Sequence, residues 1–258
     1  MGREVPAVTD LAHRVLVEPS PKRVRVVFGG ETIADTTRAL LLMEGNRIPV
    51  YYFPIEDIRT EFLEETSRKT RASSLGEVTL WSLNVGGRAA QDTAHGFASP
   101  AKEAGALKGH LAFDWERMDH WFEEDEEVFV HPAHPYRRID VRRSRRTVRI
   151  ELGGKVVGES EDAVFLFETT LPVRYYLPKA DVAMERLRPS PTRTHCPYKG
   201  EAGYYSARIG DKDYPDIAWV YETPHHALPE IKGRLAFYNE RVDTLYIGGE
   251  KTARPKAR

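Results

Sequence analysis

Val24-Arg25-Val26-Val27-Phe28-Gly29-Gly30 occurs twice in this chain, the second time as Val148-Arg149-Ile150-Glu151-Leu152-Gly153-Gly154. Within each copy the apolar residues alternate: Val24, Val26 and Phe28 fall on one face, Arg25 and Val27 on the other. Alternation of period two is the signature of a strand with one buried face. The glycine pair that follows supplies positive φ, and Thr32-Ile33-Ala34 resumes an extended pattern, so each copy opens with a β-hairpin.

The repetition extends well beyond the hairpin. Tyr51-Tyr52-Phe53-Pro54 returns as Tyr175-Tyr176-Leu177-Pro178, and Gly76-Glu77 as Gly200-Glu201. Lys108-Gly109-His110-Leu111-Ala112-Phe113 returns as Lys232-Gly233-Arg234-Leu235-Ala236-Phe237, and Glu116-Arg117-Met118-Asp119 as Glu240-Arg241-Val242-Asp243. Every landmark is displaced by the same 124 positions, without a gap. A period of this length is that of a domain rather than of a solenoid unit. We therefore read an N-terminal arm over 1–22, one β domain over 23–140, a second over 141–250 and a basic tail over 251–258. The two repeats are expected to pack on each other.

Each copy continues with a short buried run, Ala39 to Met43 and Ala163 to Phe167, ending in Glu44 or Glu168. The spacing of Ile55, Ile58 and Phe62, and of Val182, Met184 and Leu187, predicts one short helix per copy. Strands resume at Val78–Val85 and Tyr204–Ile209, each closed by glycine, and the partner strand is clearest at Asp216–Tyr221. Turn signals roughly every ten residues with little helix indicate a mainly β, antiparallel fold in both domains.

Composition excludes several function classes. The 258 residues carry a net charge of −1, so no overall field favours nucleic acid or an anionic membrane. The arginines from Arg137 to Arg146 follow an acidic run, Glu123 to Glu127, and read as a solvated crossover strand that pairs with it. A single cysteine rules out an internal disulfide framework and multi-cysteine zinc sites. No apolar run approaches the roughly 20 residues needed to span a bilayer, and the N-terminus lacks a signal-peptide pattern. The expectation is a cytoplasmic protein.

Thr194-His195-Cys196-Pro197-Tyr198-Lys199-Gly200 concentrates the reactive groups. A thiolate nucleophile needs a cation or general base nearby, so Cys196, His195 and Lys199 are the candidate catalytic residues. Adjacent side chains on an extended segment point to opposite faces, so Lys199, or a histidine from elsewhere such as His225 or His226, rather than His195 would have to activate Cys196. The alternative is a small buried thiol before a proline turn. Copy one has Arg71, Ala72, Ser73, Ser74 and Leu75 at the positions of His195 to Lys199, which points to copy two as the working half. Glu168 and Arg174 flank a loop where a guanidinium can clamp an anion. With Tyr175, Tyr198, Asp216 and Trp219 they complete the candidate ligand-binding set. Asp211-Lys212-Asp213 has the spacing of a Mg²⁺-binding acidic pair, and His131-Pro132-Ala133-His134 lacks a third ligand for a metal. No metal or other cofactor is expected.

The strings Phe167 to Pro178, Thr194 to Gly200 and His131-Pro132…Pro135-Tyr136 resemble the bacterial domain-of-unknown-function 427 family in tandem form, over residues 23–247. The resemblance implies a fold of the Mss4-like or β-tent type, two small antiparallel sheets meeting at an angle. Relatives of that fold include zinc proteins and methionine sulfoxide reductases, but their paired Cys-x-x-Cys ligands are missing here. A nucleotidyltransferase-like label attached to the family finds no convincing motif in this sequence. The function expected is binding of a small anionic molecule in a cleft of repeat two, with a possible reaction at Cys196. The alternatives are a non-catalytic protein or peptide interaction module and, lower, nucleotidyl transfer with Asp211 and Asp213 on Mg²⁺.

Overall fold

The structure is a computed structural model that describes residues 14–72 and 75–255, the side chains of 67–72 excepted. The chain divides into two compact units, 1–134 and 135–258. Unit one contains β1 (Val15–Pro19), β2 (Val24–Phe28), β3 (Glu31–Thr36), β4 (Leu40–Glu44), β5 (Val50–Pro54) and β6 (Leu63–Ala72). It continues with β7 (Gly76–Val85), β8 (Arg88–Pro100), β9 (His110–Phe113), β10 (His120–Glu123) and β11 (Glu126–Glu127). Unit two repeats the series as β12 (Ile139–Ser144), β13 (Val148–Leu152), β14 (Lys155–Ser160), β15 (Ala163–Glu168), β16 (Arg174–Leu177) and β17 (Leu187–Cys196). Then come β18 (Gly200–Ile209), β19 (Lys212–Val220), β20 (Leu235–Phe237), β21 (Thr244–Ile247) and β22 (Glu250–Lys251).

Each unit has one seven-stranded and one four-stranded antiparallel sheet. The large sheets run β1-β4-β5-β9-β8-β7-β6 and β12-β15-β16-β20-β19-β18-β17, so the duplication is preserved strand for strand. The small sheets are β11-β10-β2-β3 and β14-β13-β21-β22. Val24, Val26 and Phe28 of the small sheet share a core with Leu41, Met43, Tyr51 and Phe53 of the large one. The intervening residues Leu42 and Tyr52 point the other way, into a second core with Val78, Phe97, Ala104 and Leu107. Unit two divides likewise: Phe165 and Leu177 face the small sheet, while Val164, Leu166, Tyr176 and Trp219 face outward. The large sheet is therefore buried on both sides, by the small sheet within and by the 3-10 segment Lys102–Leu107 or Pro229–Ile231 without.

Four expectations need correction. The short helices are pairs of 3-10 turns, Ile55–Asp57 with Thr60–Phe62 and Lys179–Asp181 with Met184–Arg186, too short for an α-helical hydrogen-bond ladder. The segment read as an arm supplies β1, paired with β4 from Val15↔Glu44 to Pro19↔Leu40; residues 1–13 lie outside the described residues. The proposed 140/141 boundary falls inside β12, which pairs with β15. In the basic tail Glu250 and Lys251 form β22, and the Thr252 amide donates to the Leu245 carbonyl at 2.8 Å; residues 256–258 are not described.

The arginine run and the acidic run also take different partners from those expected. Glu123 accepts from Lys22 and Tyr51, and Arg25 reaches the Glu124 carbonyl, because β10 lies beside β2. Arg137 pairs instead with Glu168, because β12 lies beside β15, and Arg138 pairs with Asp140 two residues further along.

The retained Gly-Gly turns are capped from a distance. The Gly29 amide donates to Asp119 Oδ2 and the Gly153 amide to Asp243 Oδ2, both at 2.7 Å. Gly153 has φ +54, and a Cβ there would meet Ile209 Cγ2 at 2.7 Å, whereas Gly154 (φ +70) has open space around it. Left-handed backbone alone costs a non-glycine residue about 1–2 kcal/mol. Gly153→Ala is therefore expected to destabilise unit two more than Gly154→Ala in urea unfolding, since only the first adds a clash.

Burial tends to raise the Asp243 carboxyl, but hydrogen bonds from Lys212, Tyr214 and the Gly153 amide hold it down at about 2. A depressed carboxyl stabilises the fold above the ordinary aspartate range, and that stability is lost as pH falls through the folded value. Acid unfolding of wild type between about pH 4 and 2 should accordingly be shallower in Asp243→Asn, which lacks the titration.

Candidate functional site

The outward face of the large sheet gathers most of the chemistry-bearing residues of unit two. Glu168 ends β15 on the same face as Val164 and Leu166, and the chain then turns through Thr170 at φ +69, the Leu171 amide donating to the Glu168 carbonyl at 3.0 Å. Across the sheet, Cys196 ends β17 opposite Gly200, and the intervening turn closes with the Lys199 amide on the Cys196 carbonyl at 3.2 Å. Gly200 has φ +98, and a Cβ there would approach the Thr223 carbonyl oxygen at 3.3 Å. Its counterpart Gly76, at φ +128, is tighter still against the Ser99 carbonyl at 2.8 Å. Close backbone approach explains why this glycine persists in both copies while its neighbours change.

That turn directs Lys199 inward. Its side chain is 8% exposed and its Nζ lies 2.5 Å from Glu168 Oε2, which is itself 4% exposed. The other carboxylate oxygen accepts from Arg137 Nη1 at 3.0 Å, and the Arg137 guanidinium also lies 5.4 Å from the Tyr198 ring centre. Lys199 Nζ is 3.8 Å from Cys196 Sγ. Glu168, Lys199, Cys196 and Tyr198 are thus brought together, with Arg137 as a member that sequence reading missed.

Arg174 belongs to an adjoining group. It grips Glu240 bidentately at 2.5 and 2.8 Å and lies 5.5 Å from the ring centre of Trp219. Glu240 is held below the ordinary glutamate range by the Arg174 hydrogen bonds, against a smaller opposing effect of burial. Trp219 donates through Nε1 to the Tyr176 hydroxyl at 3.2 Å. Burial raises the Tyr176 phenol far above its ordinary value; Cys196 and Glu168 add to this, and the Trp219 hydrogen bond and Arg174 oppose it. Tyr176 therefore lies electrostatically between the two groups.

Three of the named residues lie elsewhere. His195 extends away from Lys199 toward Glu201, Nε2 to Oε2 3.4 Å, as alternation along a strand requires. Tyr175 stands edge-on to Phe165 at 4.7 Å in the inner core, so the tyrosine on the outer face is Tyr176. Asp216 sits at a β-bulge with φ +45, its amide donating to Ser206 Oγ at 2.9 Å and its carboxylate accepting from Thr192 Oγ1. Asp92 does the same in unit one, at φ +51 with its amide on Ser82 Oγ at 3.0 Å. The bulge is a shared part of the scaffold.

The corresponding face of unit one is built differently. Leu75 stands where Lys199 does, Val50 where Arg174 does, His95 where Trp219 does and Phe97 where Tyr221 does. Glu44 keeps the acid but pairs with the exposed Arg47 at 2.8 Å. With the long cations absent, a cavity of about 190 Å³ opens, lined by Leu42, Val50, Tyr52, Leu75, His95 and Phe97 among others, with Glu44 and Arg47 also in its wall. Tyr52 and His95 share a hydrogen bond of 3.1 Å there. His95 was overlooked in the sequence because it belongs to no motif; its displacement by 124 positions onto Trp219 was the available signal. In unit two a shallower hollow of about 260 Å³ lies against Glu168, lined by Arg138, Asp140, Phe167, Thr169, Leu171 and Val173.

A family model described as a domain of unknown function, DUF427, and bearing a nucleotidyltransferase short name, matches residues 16–124 and again 140–248. The chain belongs to the DUF427 family. Among curated proteins none matches it. The two matched segments of this DUF427 chain span every strand of each unit except the last (β11, β22) and the first residue of the first (Val15, Ile139), so each unit is one family domain. Asp211 and Asp213 lie at the exposed β18–β19 hairpin, Asp213 Oδ1 3.8 Å from Arg208 Nε. Among the described residues no three histidine, cysteine, aspartate or glutamate side chains cluster as metal ligands, and no helix is long and apolar enough to cross a membrane.

Removing one partner of a buried ion pair strands the other charge and typically costs 3–5 kcal/mol. Because Arg137 remains on Glu168, Lys199→Leu is expected near the lower end, about 3 kcal/mol in urea unfolding. Adding Glu168→Gln should recover most of that loss.

Proposed function

We propose that the protein binds a small molecule on the outer face of the large sheet, and that its two units have diverged in how they treat that face. The observation that carries this reading is the cavity of about 190 Å³ in unit one. It occupies the place that unit two fills with Lys199 and Arg174. A concave, mostly apolar recess with a few convergent polar groups is the usual form of a ligand site. In unit two both inward cations are already neutralised, Lys199 by Glu168 and Arg174 by Glu240. A free anion there would have to displace a buried carboxylate. On this reading the primary binding site lies in repeat one rather than in repeat two. Unit two retains a secondary role through its rim hollow beside Glu168, where Arg138 supplies an exposed cation and Cys196 lies behind the ion pair.

Unit two itself suggests the test. Leu75→Lys places the unit-two plug beside Glu44, its own potential partner. Compounds from a metabolite library that raise the melting temperature of wild type should leave Leu75→Lys unshifted, while the variant's fold, followed by circular dichroism, is kept. Equal shifts in both proteins would reject this cavity as the site.

A further inference from the structure

We infer that the unit-one cavity recognises a small uncharged molecule, one hydroxyl, carbonyl or amide head on a compact apolar body, with the head seated on the Tyr52–His95 pair. The inference rests on the binding reading above and adds the chemistry of the ligand. Three observations support it.

The first is the composition of the wall. Leu42, Ile48, Val50, Leu75, Val78 and Phe97 form most of it, so the body of the ligand meets hydrocarbon. A cavity of about 150 Å³ lined by such residues accommodates benzene, so one of about 190 Å³ holds a single ring or a short branched chain with a small head. Nucleotides and sugars phosphates are too large and too charged for it.

The second is the polarity of the head position. Burial keeps the His95 imidazole below its ordinary pKa, with the Asp114 carboxyl acting weakly against that. Burial likewise raises the Tyr52 phenol, and Glu44 raises it further. Both partners are thus neutral at physiological pH. The nearest full charges in the wall, Glu44 and Arg47, are committed to each other at 2.8 Å. Among the described residues of this wall an anionic head would meet no unpaired cation, and it would lose its hydration, which is the costly case. A neutral head loses far less.

The third comes from the other unit. Trp219 is a donor only, so the Tyr176 hydroxyl must accept from it and the pair has one arrangement. His95 at the same position has a ring nitrogen that accepts in one tautomer and donates in the other. Either Tyr52 O–H donates to His95 Nε2, leaving the phenol oxygen to accept from the ligand, or Nε2–H donates to the phenol oxygen and Tyr52 O–H is offered outward. The unit-one pair therefore suits a head that donates, accepts or does both, as hydroxyl, carbonyl and amide groups do.

The experiment uses two matched pairs of probes, benzamide with benzoate and isobutyramide with isobutyrate, titrated into the full chain at pH 7. Binding is followed by heat and by the imidazole proton resonances of His95. The expected result is that the better amide binds at least about tenfold more tightly than its carboxylate, a difference of ~1.4 kcal/mol. Tyr52→Phe should reduce that ratio to about twofold without unfolding the chain. His95→Trp, which copies unit two, should abolish binding of all four, and a second variant, His95→Gln, should restore part of the amide binding if the tryptophan variant fails to fold. Carboxylates that bind as well as the amides, or an amide preference unchanged in Tyr52→Phe, would overturn the inference. If those carboxylates then lose their binding in Leu75→Lys, the cavity remains the site and only the head-group assignment falls. No binding by any of the four at millimolar concentration would overturn the inference itself, while the library screen still decides the cavity.

Discussion

A seven-stranded sheet covered on both faces requires its central strands to serve two cores at once. Leu42 and Tyr52 face outward while their neighbours Leu41, Met43, Tyr51 and Phe53 face the small sheet. A one-residue slip in any of these strands would exchange the two sets, so the register is fixed from both sides. The inner core is enclosed by a second sheet and tolerates little but apolar side chains. The outer core is enclosed by a single 3-10 segment and its flanking loops, and it is there that Glu168, Lys199, His95 and the Tyr52–His95 and Tyr176–Trp219 pairs are found. Division of the sheet into a closed face and a loosely covered face is what provides a place for function.

The two units show what that face can become. Unit two introduces long cations and then satisfies each one internally, Lys199 on Glu168 and Arg174 on Glu240, with Trp219 and Tyr238 packed against the second pair. Unit one replaces both cations by Leu75 and Val50 and leaves volume unfilled. Loss of two large polar side chains from an already packed face normally costs stability, because the cavity persists if its surroundings cannot collapse. Here Leu75 lies in the β6–β7 turn and Val50 opens β5 opposite Leu42, and the space beside them stays open. A retained cavity is more simply understood as occupied in function than as a tolerated defect.

Much of the fold was legible because both units repeat the same period-two pattern, so a strand weakly marked in one copy was marked in the other. The predicted helices failed for a specific reason: Ile55, Ile58 and Phe62 have helical spacing, but two successive three-residue turns present the same residues without a ladder. β1 was missed because residues 1–22 read as an arm, whereas Pro19 is the last residue of an edge strand, where proline is tolerated. At the site, Lys199, Cys196, Glu168 and Tyr198 were legible from one dense string and one repeated acid. Arg137 was not, since its contact spans 31 positions between a crossover strand and the neighbouring strand. Tyr175 was chosen over Tyr176 because two adjacent tyrosines carry no sign of which face is outer; only the parity of Leu166 and Glu168 across the sheet decides it.

Asymmetry between repeats was first read as loss of chemistry from copy one, since Cys196, His195 and Lys199 have no counterparts there. Side-chain geometry reverses the weight of that comparison. A reactive group that is present but neutralised contributes to the scaffold, as Lys199 does beside Glu168. A modest group that is present, half-buried and beside unfilled space is available, as His95 is beside the cavity. Replacement of a donor-only indole by an imidazole that can accept or donate changes one rigid hydrogen bond into a pair with two arrangements. Within a duplicated fold, the position to examine is then the one where side-chain volume falls while hydrogen-bonding versatility rises, and positions 95 and 219 meet that description.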